Sequence, residues 1–494
     1  MPPRFKELYK QTRSSKDSRQ NRLLQEAQLR RLQREQVFMG KRLRLRAPQD
    51  SETESEYEFT ASDMTGIIKG LEASCKAYLS GKHDERMDAL QNLSVKLEQP
   101  SEELREFVLE GKCIELLVGF LTQADGDEKL QSLWCLTNIA ASEGRLAERV
   151  LPATPHLLPL LSSSIAELTN QAAWALGNLA AEGEQMREQL YALGALAPLV
   201  SLLGAQDPVV LQTACFAVSN MARKPCSYFN RLFELDVPQV AAKQLKRFAN
   251  DPECVAELAW VFAYLTAASS AQQVDCVLAS GAVDVLLQCA VDAADGAPGA
   301  LLIPIIRTLG NVAAGTDAQT HALVAKPGFV PLLVKYIESR ASRAVEKETL
   351  WVLSSVTAGR KEDVHAMVNA GVVPDLVRII ETQDYDIKKE AAFSLLNIAL
   401  VGECLEDLPN ERLVREFVGF LRSQDPQLVR MGVQFIALVA DDLDGGLGVL
   451  RHVEGAIDAL ENLVAVTEDD DTRAMVSALI DRYYGEDAEV AIEQ

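Results

Sequence analysis

No two cysteines in this 494-residue chain are spaced as CxxC, and its five histidines stand apart from one another. A zinc framework therefore has no candidate ligand set, and no metal is expected. The nine cysteines (Cys75, Cys113, Cys135, Cys215, Cys226, Cys254, Cys276, Cys289 and Cys404) are scattered, mostly through apolar stretches. They read as small buried hydrophobes of a reducing compartment. No apolar run reaches the 18 or so residues that a membrane span needs, and no signal-peptide core stands at the N-terminus, so neither a span nor secretion is expected. Phosphate-cradling glycine loops and nucleophile–base constellations are missing too, so neither catalysis nor a cofactor is expected. Aromatic residues supply only 6% of a chain that is 48% hydrophobic. The apolar content is mostly Leu, Ala and Val without strand-like alternation, which suits closely packed helices.

Basic residues are also scarce over most of the length. Of 49 basic and 71 acidic residues, the first 50 positions hold 14 and 5, leaving 35 and 66 for the rest, which is a net of +9 against −31. An acidic body with a basic arm is not the profile of a chain that coats nucleic acid, and it suits a body that binds basic ligands. The arm carries a helical periodicity from about Asp17 to Met39, then the cluster KRLRLR at Lys41–Arg46. Residues 48–63 (PQDSETESEYEFTASD) are acidic and poor in aliphatics, as a flexible linker is. Residues 64–484 are expected to form the folded body, and 485–494 an acidic tail.

What is present is a repeat. Seven times between residues 130 and 400 an apolar helical phrase carries an aromatic residue with an amide, or substitutes for them, four residues later: Trp134/Asn138, Trp174/Asn178, Phe216/Asn220, Trp260/Tyr264, Arg307/Asn311, Trp351/Ser355 and Phe393/Asn397. The second members lie 40, 42, 44, 47, 44 and 42 residues apart, a period proper to stacked helical units of the armadillo and HEAT kind. Several units open on a phrase like GxxPxLxxLL, for example at Gly194, Gly281, Gly328 and Gly371, where Gly ends one helix and Pro is tolerated in the first turn of the next. A four-residue step turns a side chain by only about 40°, so each aromatic and its amide share one helix face with the residue three before the aromatic. Stacking aligns those faces as ladders along a groove. The plainer alternative is that the aromatics are core and the amides are caps. Asn is a middling helix former, and its repetition inside apolar helices points instead to a ligand.

In order and wording these phrases (WxLTNIA, WALGNLA, xSNMxRK, WxxxYLT, RTLGNVAAGTD, WxxSxVTAG, AAFSLLN) resemble the armadillo core of the importin-α family, adaptors that recognise nuclear localisation signals. Tyr264 and Arg307 fall where that family's fifth and sixth repeats have Tyr for Asn and Arg for Trp. VEGAIDALENL and DRYYGEDAE resemble the end of its last repeat, and RFKELYKQTR, LRRLQRE and KRLRLR resemble a thinned importin-β-binding segment. The resemblance implies an all-α, right-handed superhelical solenoid of about ten armadillo repeats behind a basic helical arm (residues 1–47). It also implies a receptor of Lys/Arg-rich cargo peptides that shuttles between cytoplasm and nucleus, joined to importin-β through the arm and to an export receptor at the C-terminal repeats. Carried over by position, the family's major site falls on Trp134, Asn138, Gln171, Trp174, Asn178, Glu182, Phe216 and Asn220. The minor site falls on Arg307, Asn311, Asp317, Glu348, Trp351, Ser355, Glu390, Phe393 and Asn397, bordered by Glu257 and Tyr264. Lys41, Arg42, Arg44 and Arg46 are the expected autoinhibitory and importin-β contacts.

The chemistry fits those positions. An extended peptide needs partners for its N–H and C=O groups, and an Asn amide supplies both a donor and an acceptor. Paired indole rings hold Lys methylenes and attract the cation, at about 0.5–2 kcal/mol for each contact. Glu257, Glu348 and Glu390 each stand three residues before the aromatic of their own unit, where a carboxylate selects cations. Phe216 and Phe393 give smaller faces than Trp, and Ser355 shortens the reach of an amide. A scaffold or dedicated chaperone for basic clients, independent of importin-β, remains an alternative for the groove. For the arm, the alternatives are a solvated or coiled-coil helix, or a polybasic patch for nucleic acid or membrane.

Overall fold

The computed structural model describes residues 83–484, apart from 99, 125, 143, 268, 295, 339–341 and 407. The basic arm with Lys41, Arg42, Arg44 and Arg46, the linker, Cys75 and the acidic tail lie outside the described residues. Every described element is helical. None of the helices is by itself long and apolar enough to cross a membrane.

The described residues fall into two compact units that divide at Leu287. Each is built from a recurring pattern of shorter helices followed by a long one. The long helices of the first unit are α1 (His83–Lys96), α2 (Gly126–Ala141), α3 (Ala166–Ala181), α4 (Pro208–Met221) and α5 (Pro252–Thr266). Those of the second are α6 (Gly299–Ala313), α7 (Arg343–Thr357), α8 (Tyr385–Leu400), α9 (Pro426–Asp442) and α10 (Asp470–Tyr483). Within each unit, every long helix packs on the next. This is the nearest-neighbour stacking of a solenoid, in which no unit buries its apolar face alone.

Local chemistry sets the boundaries. The helix openings at Gly194, Gly281, Gly328 and Gly371 all have φ between 76° and 88°, the left-handed region that glycine enters without steric cost. Three long helices start at Asp-Pro. Asp207 accepts from the N–H groups of Val209 and Val210, Asp251 from those of Glu253 and Cys254, and Asp425 from that of Gln427. Each pairs an N-cap acceptor with a proline whose missing N–H costs nothing in the first turn. The helices are then held by burial, and α3 is interior along nearly its whole length.

The close approach of successive long helices depends on glycine at two places. A Cβ built on Gly177 lies 2.8 Å from two carbons of the Phe216 ring, and one built on Gly310 lies 2.2 Å from Cζ3 of Trp351. Gly310→Ala is therefore expected to overpack the α6–α7 contact and to destabilise the second unit by about 1–3 kcal/mol. A fall in the urea midpoint checks this, and an unchanged midpoint would show that Trp351 moves aside freely.

Cys113, Cys135, Cys215, Cys254 and Cys404 are buried, while Cys226, Cys276 and Cys289 are half-buried. Burial pushes the Cys113 thiol up to about 12 and drives those of Cys135 and Cys215 well above their ordinary value, so these three stay protonated at neutral pH.

Candidate peptide-binding faces

In the first unit, Trp134 and Trp174 are half-buried, each giving part of its surface to solvent, and so are Trp260 and Tyr264. The Trp260 and Tyr264 rings stack at 5.8 Å with 25° between their planes. Arg223 places its guanidinium carbon 5.7 Å from the centre of the Tyr264 ring, so this aromatic pair already holds a cation of its own chain. Phe216 differs from expectation: at 4% exposure it is core, its ring laid against the backbone of Gly177.

The asparagines have a structural task that the sequence reading did not foresee. The Nδ2 of Asn138 donates to the carbonyl of Ser94, that of Asn178 to Thr137, and that of Asn220 to Gly177, each at 3.3 Å. In the second unit Asn397 donates to the carbonyl of Ser354 at 3.0 Å and reaches the Thr357 hydroxyl at 3.4 Å. Thr137, Gly177 and Ser354 stand immediately before Asn138, Asn178 and Ser355. Each amide thus ties its long helix to the preceding one, one residue before the equivalent position, for about 1 kcal/mol per buried bond. The expectation that packing gives Asn no reason to recur is corrected by these bonds. A primary amide has a second N–H and an acceptor oxygen beyond the tie, and the Asn397 Oδ1 is buried with no hydrogen-bond partner.

A second set of ties runs beside the first. Gln171 donates to the Thr137 hydroxyl at 2.7 Å, and Gln131 to the Ser94 hydroxyl at 2.7 Å. Gln131 is absent from the expected site. Its signal was legible, since it precedes Trp134 by the same three residues that separate Gln171 from Trp174. Glu182 accepts from the N–H of Gly144 at 2.7 Å, so its carboxylate braces the turn after α2. Glu257 is half-buried on α5, close enough to Cys215 to add to the upward push on that thiol, after burial itself.

The second unit arranges the same register differently. Trp351 is 1% exposed and Phe393 3%. Arg307 and Glu348, both buried, pair through Nη2 and Oε1 at 2.6 Å. The acid expected to face a ligand is therefore engaged by the arginine that replaces an aromatic in the preceding helix. Ser355 turns its hydroxyl back to the carbonyl of Trp351 at 2.9 Å and makes a bond within its own helix where an amide would reach out. Glu390 and Asn311 are buried. Asp317 is half-buried in the first turn of the helix Asp317–Val324, whose cap is a reciprocal pair between Thr316 and Gln319.

The unit-by-unit stacking, the period and the phrases converge with comparisons to known proteins. Residues 142–181 match the Armadillo/beta-catenin-like repeat family. An engineered protein solved by the Northeast Structural Genomics Consortium superposes with a TM-score of 0.72 at 23% identity, over 84% of this chain and 99% of that one, a likeness of fold. Importin subunit alpha-2 of Oryza sativa subsp. japonica is 30% identical over 443 residues, 85% of this chain and 82% of its own. Importin subunit alpha-9 of Arabidopsis thaliana is 32% identical over 442 residues, 85% of this chain and 83% of its own. Identity of that extent along a shared solenoid makes this chain a member of the importin subunit alpha family.

Proposed function

We propose that this protein is a nuclear-localisation-signal receptor that binds Lys/Arg-rich cargo peptides along its long-helix faces and joins them to importin-β for nuclear import. The observation that carries the reading is the pairing, on adjacent helices, of half-buried Trp134 and Trp174 with Asn138 and Asn178 one turn on. Indole faces suit the methylenes and charge of a lysine side chain, and the amides suit the backbone of an extended peptide. The net charge of −31 beyond residue 50 supports a basic ligand. Kinship with importin alpha subunits supports the adaptor role. Gln171, Glu182 and Asn220 complete the proposed first site, with buried Phe216 packed behind it against Gly177. Arg307, Asn311, Asp317, Glu348, Trp351, Ser355, Glu390, Phe393 and Asn397 are the proposed second, and Glu257 and Tyr264 on α5 of the first unit are proposed as peptide contacts by themselves.

The basic arm is proposed as the importin-β contact, with Lys41, Arg42, Arg44 and Arg46 competing for the protein's own acidic face when no partner is bound. An export receptor at the C-terminal helices, and a distribution between cytoplasm and nucleus, follow from the same reading. Calorimetry of the full chain with a short Lys/Arg-rich peptide tests it. Binding at micromolar Kd or tighter is expected, weakening as salt screens the exposed charges. Importin-β is expected to lower the apparent Kd by withdrawing the internal competitor. No heat with any basic peptide, with or without importin-β, would remove the receptor reading.

A further inference from the structure

We propose that the exposed face of the helix Val237–Arg247 in the first unit docks an acidic segment of this same chain, residues 48–63. The proposal goes beyond cargo binding and starts from an unmatched charge.

The helix buries Val237, Pro238, Ala241, Ala242, Gln244 and Leu245 and packs on α5. Its other side carries Lys243, Lys246 and Arg247, all exposed. Spacings of three and four residues put these cations on one face, where like charges repel and lower the stability of the helix. Nothing nearby offsets them. No Asp or Glu occurs from residue 237 to 250, and the next acid, Asp251, is engaged as the N-cap of α5 by the N–H groups of Glu253 and Cys254. Among the described residues the three cations form no ion pair, whereas Arg86, Lys112 and Arg231 of the same unit each meet a carboxylate. Arg247 lies over the ring of Phe248 at 5.4 Å. The helix dipole accounts for Lys246 and Arg247 in the last turn, but not for Lys243 a turn earlier.

The occupant is argued from charge, spacing and reach. Residues 48–63 hold Asp50, Glu52, Glu54, Glu56, Glu58 and Asp63 with no Lys or Arg among them. From 50 to 58 the acids take every second position, so an extended chain presents them on one side at a repeat of about 6.6 Å. Lys243 and Arg247 stand about 6 Å apart along their helix, a matching interval. Four helix packings separate α1 from α5, a distance of about 40 Å at about 10 Å each. Even with residues 64–82 helical throughout, the chain from 48 to 82 spans about 80 Å, so the segment reaches. The tether makes the contact intramolecular, and a few screened pairs then suffice. On the receptor reading, the docked segment also sets how far Lys41–Arg46 can range.

The test is zero-length carbodiimide cross-linking of the full chain, mixed from unlabelled and isotope-labelled protein, with the joined peptides read by mass spectrometry. Cross-links from Lys243 and Lys246 to acids of residues 48–63 are expected within single chains. The exposed pair Lys361–Glu403, at 3.1 Å, shows that the reagent has acted. Raising salt to about 1 M, where the screening length is about 3 Å, is expected to cut the yield about fivefold. Arg247→Glu leaves both lysines in place and is expected to cut it about threefold. The proposal is overturned if these links are missing beside a clear Lys361–Glu403 signal, if they spread evenly over the lysines of the first unit, or if their yield ignores both salt and Arg247→Glu. Links that join labelled to unlabelled chains make a second copy the occupant and overturn it too. No cargo peptide enters the measurement, so its failure leaves the receptor reading in place.

Discussion

Replacing Trp174 and Asn178 together by alanine is expected to raise the Kd for a single-cluster basic peptide by about fivefold to a few hundredfold. The indole is a half-buried wall on α3, and its loss removes a cation–π and methylene contact of about 0.5–2 kcal/mol. The amide adds about 0.5–1.5 kcal/mol for a backbone hydrogen bond, and each 1.4 kcal/mol is roughly a factor of ten. The same change severs the Asn178–Thr137 tie at 3.3 Å, so folding stability should also drop, by about 1 kcal/mol for that bond. Peptide calorimetry and a thermal melt on one preparation separate the two effects. A Kd within twofold of the parent, with the fold intact, would show that α3 does not line the peptide site.

Glu348→Ala is expected to destabilise the second unit by about 3–5 kcal/mol, since it takes away the carboxylate that the buried Arg307 guanidinium meets at 2.6 Å. Both side chains are less than a tenth exposed, so solvent does little to screen the loss. Replacing both partners at once, Arg307→Leu with Glu348→Leu, removes the stranded charge and is expected to recover most of that stability. Urea denaturation of the two variants measures the difference. Equal stability of the single and double variants would show that the charge is relieved elsewhere.

The two expectations treat neighbouring positions of one register in opposite ways, and the reason is physical. In α3 the phrase packs on α2, which has Trp134 in the aromatic position, and its own Trp174 stays half-buried. In α7 the preceding helix has Arg307 in that position, which engages Glu348, and Trp351 is buried over Gly310.

The amino-acid sequence by itself determined the helical class, the 40 to 47-residue period, the glycine openings and the register of each aromatic/amide pair, because these follow from local backbone preference and from a repeat that needs only its neighbours to fold. It also put Gln171, Asn138, Asn178, Asn220 and Asn397 in the register from which each reaches the preceding long helix. Which members of the register stay open was decided only by the tertiary structure. Trp174 and Trp351 occupy equivalent positions in similar phrases, yet one is half-buried and the other fully buried. Exposure depends on what the adjacent helix presents, and residues some forty positions away are not encoded in the phrase. The asparagine ties were hidden for the same reason: a side-chain amide four residues after an aromatic looks like a ligand contact until the carbonyl of the preceding long helix is found 3.0 to 3.3 Å away. Glu348 likewise read as an acid beside a slot, and became the partner of Arg307 only when stacking removed both from water.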